Sequence, residues 1–319
     1  MLRLKATLCS LLICAAAGPA AAQISVVFDD PGSSYSAYYA DLQRLTVAAG
    51  SAWTDHFALP QGGADITVQI SFATIATSSG GSLASAWVAT GSSGQALFEQ
   101  GAAFEWRTGV DANGAAPDVQ INIGSSGYLQ NELWFDPDPL RLASSVPADR
   151  IDAFSVLLHE WGHAFGFNGW LDGSSGLAPG NYGSTFDALV SPEQGAAGTT
   201  LVFSGALARS LHGGAVPLTF GSYAHLGNSG TRDGAGLIPD LMNGEGFNRG
   251  TRYEISALDL AIMADIGLPM AAVGNVPEPG PAALLLAGLW AVVWVARRRD
   301  GGLKAVPHSG PQPLTQSLP

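Results

Sequence analysis

Cysteine is almost missing from this 319-residue chain: Cys9 and Cys14 are the only two, and both lie in an N-terminal apolar stretch. A chain that loses that stretch has no disulfide, no thiol nucleophile and no thiolate metal ligand. It also has no cysteine that could cap a metal centre to keep it latent. Lysine is equally scarce, with Lys5 and Lys304 the only ones. Residues 23–275 hold 24 acidic and eight basic side chains, a net charge of −16. That balance argues against a nucleic-acid or other polyphosphate partner, because nothing would neutralise the phosphates. It favours solubility outside the cell. No apolar run is long enough to span a bilayer comfortably.

The two short runs that do occur carry their own signals. Arg3 and Lys5 precede an apolar segment over residues 6–17, and Ala20-Ala21-Ala22 follows with small side chains. This order predicts a secretory signal peptide over residues 1–22, cleaved before Gln23; an uncleaved N-terminal anchor is the alternative. Near the other end, Pro277-Glu278-Pro279 precedes an apolar run over 281–296 and then Arg297-Arg298-Arg299. The arginines should hold that end at the cytoplasmic face.

The three-part order over residues 276–299 resembles the PEP-CTERM sorting signal of Gram-negative bacteria. The resemblance implies a processing enzyme of the exosortase type, transient membrane association and release to the cell surface or medium. The chain departs from that pattern by carrying a further Pro-, Gly- and Ser-rich segment, 300–319, whose composition predicts disorder. A permanent single-span anchor is the other reading.

Between the signals, about 250 residues suffice for one domain with a sizeable core. Residues 35–57 show helical spacing, with Ser33 or Ser34 as N-cap. Alternation predicts strands over 65–76 and around Val119, Ile121 and Ile123, and a short edge strand at Leu133-Trp134-Phe135. A second helix should start near Pro147–Asp149 and run through His163, with Gly166 as a left-handed cap. A short strand at 200–203 and a brief helix at 205–211 come next. A last helix begins at Ser256, which forms an approximate capping box with Asp259, and ends at Gly267. The domain should close near 268, with a linker over 269–280.

The chemistry sits in His159-Glu160-Trp161-Gly162-His163. Histidines four apart on a helix share one face, so both imidazoles can reach one metal ion. Glu160, one step round, can face the open coordination position without ligating. There it would take a proton from a zinc-bound water, whose pKa the metal brings to about 7. Two satisfied surface histidines would be the bland reading. Catalytic zinc takes a third protein ligand. Gly169 occupies the position six residues after His163, so the short form of the motif, with a histidine there, is excluded. The candidates are His225, His212, Asp172, Asp187 and Glu193. His56 and His308 read as a helix-end and a tail residue.

The segment His159 to Phe167, with His225 and then Leu241-Met242-Asn243 and a closing helix, resembles leishmanolysin-like metzincins. The likeness covers residues 118–268, without the cysteine-rich later portion of that family. It implies an α/β metzincin fold: an N-terminal helix and small twisted sheet above a cleft, the metal helix as its floor, and an irregular C-terminal part. It implies a zinc endopeptidase acting on peptides or proteins, with His159, His163 and His225 as metal ligands, Glu160 as general base and Met242 as the Met-turn. Tyr223 and Tyr253 are candidates for stabilising the oxyanion. Calcium has no supporting motif despite many aspartates near glycines. Two rival classes remain: an inactive surface or matrix protein on the same fold, and a carbohydrate-binding surface module suggested by the tryptophans and the Gly/Ser-rich body.

Overall fold

Alternating side chains build the central sheet. The computed structural model describes residues 23–271 apart from 59, 61, 62, 92, 126, 140–144, 196 and 197. The predicted signal peptide, the Pro-Glu-Pro segment, the apolar run at 281–296 and the tail lie outside the described residues. Strands β1 (Gln23–Asp29), β2 (Asp65–Ala73), β3 (Ser78–Ser82) and, further on, Val119–Gly124 make a four-stranded sheet. The first two and Val119–Gly124 run parallel, and β3 closes one edge in the antiparallel sense. Ile66, Val68, Ile70, Val119, Ile121 and Ile123 are all buried. Their two-residue period puts them on one face, which the helices cover.

Helix α1 (Tyr39–Thr54) lies on the buried side and is held to a later helix by a pair of reciprocal indole bonds. Trp53 Nε1 donates to the Leu158 carbonyl at 2.7 Å, and Trp161 Nε1 donates to the Thr46 carbonyl at 2.9 Å. The axes approach closely because Gly50 has no side chain; a β-carbon there would stand 2.6 Å from the Trp161 ring. Each buried tryptophan has its polar atom satisfied, so its burial is a net gain of about 1.5–3 kcal/mol. The N-cap expected from Ser33 or Ser34 is not what starts this region. Asp30 Oδ2 accepts from Tyr35 N–H and from the Tyr39 hydroxyl, both at 2.8 Å, and Tyr38 caps α1 without a side-chain bond.

Strands β4 (Ser85–Thr90) and β5 (Ala96–Gln100) lead into helix α2 (Gly101–Thr108), and β6 is Val119–Gly124. A π-helical turn, Tyr128–Glu132, precedes β7 (Leu133–Trp134), which pairs in parallel with β8 (Ile151–Asp152). Helix α3 is Ala153–Phe165, and all thirteen of its residues are buried. A helix with no exposed side belongs in a core. It starts later than the sequence suggests. Residues 147–150 form a turn, β7 captures Ile151 and Asp152, and Asp152 becomes the cap by accepting from Ser155 N–H. Arg252 bonds that same carboxylate at 2.9 Å and Asp136 at 2.6 Å, tying the C-terminal part to the start of α3. Gly166 ends α3, but at φ +151° and ψ −14°, outside the left-handed helical region. Contact also demands glycine at this position: a β-carbon there would lie 2.1 Å from Ile266 Cδ1.

The remainder contains β9 (Tyr182–Ser184), the antiparallel set β10 (Val190–Gly195), β11 (Gly198–Phe203) and β12 (Val216–Pro217), and helices α4 (Ala206–His212) and α5 (Ala257–Asp265). The capping box expected at Ser256 and Asp259 is complete. Ile266 is the C-cap, and Gly267, one residue on at φ +108°, makes the turn. The chain is thus a mixed α/β protein with several small sheets. Among the described residues no helix is long and apolar enough to cross a membrane.

Candidate metal centre

Helix α3 presents His159 and His163 one turn apart, and both are buried. The third imidazole comes from 62 residues downstream. His225 sits in a tight turn, with its N–H donating to the Ser222 carbonyl at 3.1 Å and its carbonyl accepting from Thr219 N–H at 2.9 Å. His163 Nε2 lies 3.0 Å from His159 Nε2 and 3.0 Å from His225 Nε2. The sequence-derived trio therefore converges on one point.

The outer nitrogen of each ring fixes its tautomer. His159 Nδ1 donates to the Leu241 carbonyl at 2.8 Å. His163 Nδ1 donates to the Phe167 carbonyl. His225 Nδ1 meets the Ser222 hydroxyl at 2.8 Å and its carbonyl at 3.3 Å. With Nδ1–H directed outward, each Nε2 turns a bare lone pair inward. Burial lowers the pKa of all three. His159 is pushed well below the usual range by burial and then by the other two imidazoles, and His225 falls to about 3 through burial and His163. Three neutral, inward lone pairs repel one another unless a cation sits among them. Three nitrogens at about 2.05 Å from a tetrahedral zinc would stand about 3.3 Å apart. Two of the spacings, at 3.0 Å, fall about 0.3 Å short of that, and all three ligand nitrogens lie within 4.8 Å of one another, so a buried group of His159, His163 and His225 can hold a metal ion.

Glu160 is buried beside this trio. Burial raises its pKa to about 7, and the Ser78 hydroxyl opposes that rise. Strand β3 passes directly over it: a β-carbon on Gly80 would lie 2.6 Å from Glu160 Cβ and 2.9 Å from Oε2. The cleft between β3 and α3 opens onto His159, Glu160, His163, His225 and Asn168. A second hollow of about 400 Å³ joins the same centre and is walled by Tyr128, Ile151 and Phe247. Sequence reasoning missed Ser78, Gly80, Tyr128 and Asn168. A π-helical turn, common at functional sites, is the structural sign that marks Tyr128.

The other candidates lie elsewhere. His212 is exposed at the end of α4, and Glu193 is exposed in β10. Asp172 is exposed and accepts from Ser174 N–H, Ser175 N–H and the Ser175 hydroxyl. Asp187 is buried but turns its Oδ2 to Trp170 N–H and Ser184 N–H, both at 2.9 Å. The tyrosines also differ from expectation. The Tyr253 hydroxyl accepts from Asn248 N–H at 3.1 Å, and Tyr223 packs on Phe220, so neither lines the hollows at the trio. Met242 is fully buried beneath α3, its sulfur against Gly162, and its carbonyl accepts from Leu226 N–H at 2.8 Å. Away from the centre, Glu105, Asp111 and Asp118 bring carboxylate oxygens within 4.8 Å of one another.

Compared with protein-family models, curated proteins and solved structures, the chain matches none.

Proposed function

We propose that this chain is a zinc-dependent endopeptidase of the metzincin kind, with His159, His163 and His225 as ligands and Glu160 as general base. The observation that carries the reading is the meeting of three neutral, inward-facing imidazoles beside a buried carboxylate in an open cleft. Three protein nitrogens with a free fourth position are the pattern of catalytic zinc sites. Zinc in that position would act as a Lewis acid that brings the pKa of a water to about 7.

The chain's own residues do the rest. Strand β3 is the last strand of its sheet, so its outer row of N–H and C=O groups borders the cleft. An extended peptide can add there as a further strand and lie across the centre. Glu160, poised at about 7, takes a proton from the attacking water and returns it to the leaving amine. The Leu241 carbonyl holds the His159 imidazole from behind, and Met242 packs against Gly162 of the same helix. The same reading takes residues 1–22 as an export signal and the tail as a sorting device handled by an exosortase-type enzyme.

Metal analysis of the purified chain, paired with hydrolysis of a casein-type substrate with and without chelator, tests this. One zinc per chain and chelator-sensitive cleavage are expected. A chain with no bound zinc and no cleavage would instead favour the inactive surface protein.

A further inference from the structure

We propose that the hydroxyls of Ser78 and Tyr128 form a relay that positions the Glu160 carboxylate for proton transfer. The inference rests on the peptidase reading and deepens it, because it assigns roles to residues outside the metal-binding helix.

Three features of the fold place them. Ser78 and Gly80 are two apart on β3, so their side-chain positions face the same way. The Gly80 position abuts Glu160 Cβ and Oε2, which puts the Ser78 hydroxyl on the carboxylate side of the strand. Ser78 also pairs with Ile123 of β6, and the π-helical turn that follows β6 brings in Tyr128. Ser78, Tyr128 and Glu160 then line one hollow together with His159 and His225. The shared hollow brings the hydroxyls of Ser78 and Tyr128 to the same side of the site as the Glu160 carboxylate.

The proton count orders this chain. A serine hydroxyl has one proton to donate and two lone pairs that accept. Ionised Glu160 can only accept, so Ser78 donates to it. The Ser78 oxygen is then free to accept from the Tyr128 hydroxyl. The bond to the carboxylate is charge-assisted, and the second hydroxyl strengthens it by polarising the first. A glutamate side chain has three rotatable bonds. Fixing its terminal group limits it to orientations that face the hollow it shares with His159 and His225. Gly80 completes the arrangement, since any side chain there would displace the carboxylate. Both hydroxyls act through Glu160, so they are positioning residues.

The test uses the full chain loaded with zinc and a fluorogenic peptide. Ser78→Ala should lower kcat about ten- to a hundredfold, in line with loss of a hydrogen bond to a charged group, while KM and zinc content stay at wild-type values. Ser78→Thr, which keeps the hydroxyl, should restore most of the rate. In a Glu160→Asp background the shortened carboxylate no longer reaches Ser78, so adding Ser78→Ala should cost nothing further. An equal loss in both backgrounds, or wild-type kcat in Ser78→Ala, overturns the relay and leaves the peptidase reading intact. If Ser78→Ala does not fold, Tyr128→Phe asks the same question with an isosteric ring: a several-fold fall in kcat at constant KM is expected, and wild-type kcat overturns the relay. A wild-type chain that binds zinc but cleaves no peptide overturns both readings at once.

Discussion

The sulfur of Met242 fills the space that a side chain on Gly162 would need. A β-carbon at Gly162 would stand 2.5 Å from Met242 Sδ, 2.9 Å from its Cε and 3.2 Å from the Trp53 ring. Met242 is fully buried, so the thioether has nowhere to swing. Gly162→Ala should therefore overpack the floor of the metal centre and destabilise the chain by about 1–3 kcal/mol. Thermal unfolding measures this. An unchanged midpoint would mean that Met242 is not held against the helix.

His225 supplies the imidazole that closes the trio. His225→Ala leaves two nitrogens on α3 and removes the third. Zinc content of the dialysed variant should drop to a small fraction of one equivalent, while His212→Ala, at an exposed position, should keep a full equivalent. Equal zinc in wild type and His225→Ala would remove His225 from the ligand set.

Glu160→Gln keeps the shape of the side chain but cannot take up a proton. Peptide hydrolysis should fall about 10²–10⁴-fold with zinc still bound. A stopped assay on a casein-type substrate, run beside metal analysis, separates loss of the base from loss of the metal. Undiminished cleavage would place the proton transfer on another group.

Stability should also depend on pH through the separate carboxylate cluster of Glu105, Asp111 and Asp118. Burial, reinforced by Asp118 and more weakly by Asp111, raises the Glu105 pKa from 4.5 to about 7. Below pH 4.5 Glu105 is neutral in both folded and unfolded chains. Between 4.5 and 7 the folded chain keeps the proton that the unfolded chain has released, so this contribution fades as pH rises through 7. Glu105→Gln should flatten that decline between pH 5 and 8. Parallel melting-temperature curves for wild type and variant would show that the carboxyl is not responsible.

The tail prediction concerns processing. Mass spectrometry of the protein recovered from its native host should find a C-terminus near residue 279. Peptides from 300–319 still attached to the surface-located protein would identify a permanent anchor.

Much of this was legible before the structure, and the reason is locality. His159, Glu160 and His163 are set by a single turn of helix, and the capping box at Ser256 and Asp259 by three residues. His225 was reachable only through resemblance, since nothing local in Tyr223-Ala224-His225 says that it meets a residue 62 positions earlier. The strand that roofs the site was invisible. Ser78-Ser79-Gly80-Gly81-Ser82 has no apolar alternation, and its extended form comes from pairing with β6. Ser78 and Gly80 were missed for the same reason. The start of α3 was misjudged because β7 takes Ile151 and Asp152 into a two-residue strand, a tertiary event that helix propensity does not encode.

The turn that carries His225 is itself fastened to its surroundings by backbone. Leu226 N–H reaches the Met242 carbonyl, and the neighbouring Leu241 carbonyl holds His159. Three stretches of chain, near 160, 225 and 242, must therefore be in register before the third imidazole is in place. A ribosome emitting this chain exposes the two helical histidines long before the third exists. The complete trio is consequently a property of the finished chain, assembled at the completion of folding and not at its beginning. A fragment ending before residue 225 would hold only two of the three imidazoles, so the order of synthesis alone keeps the trio from assembling early.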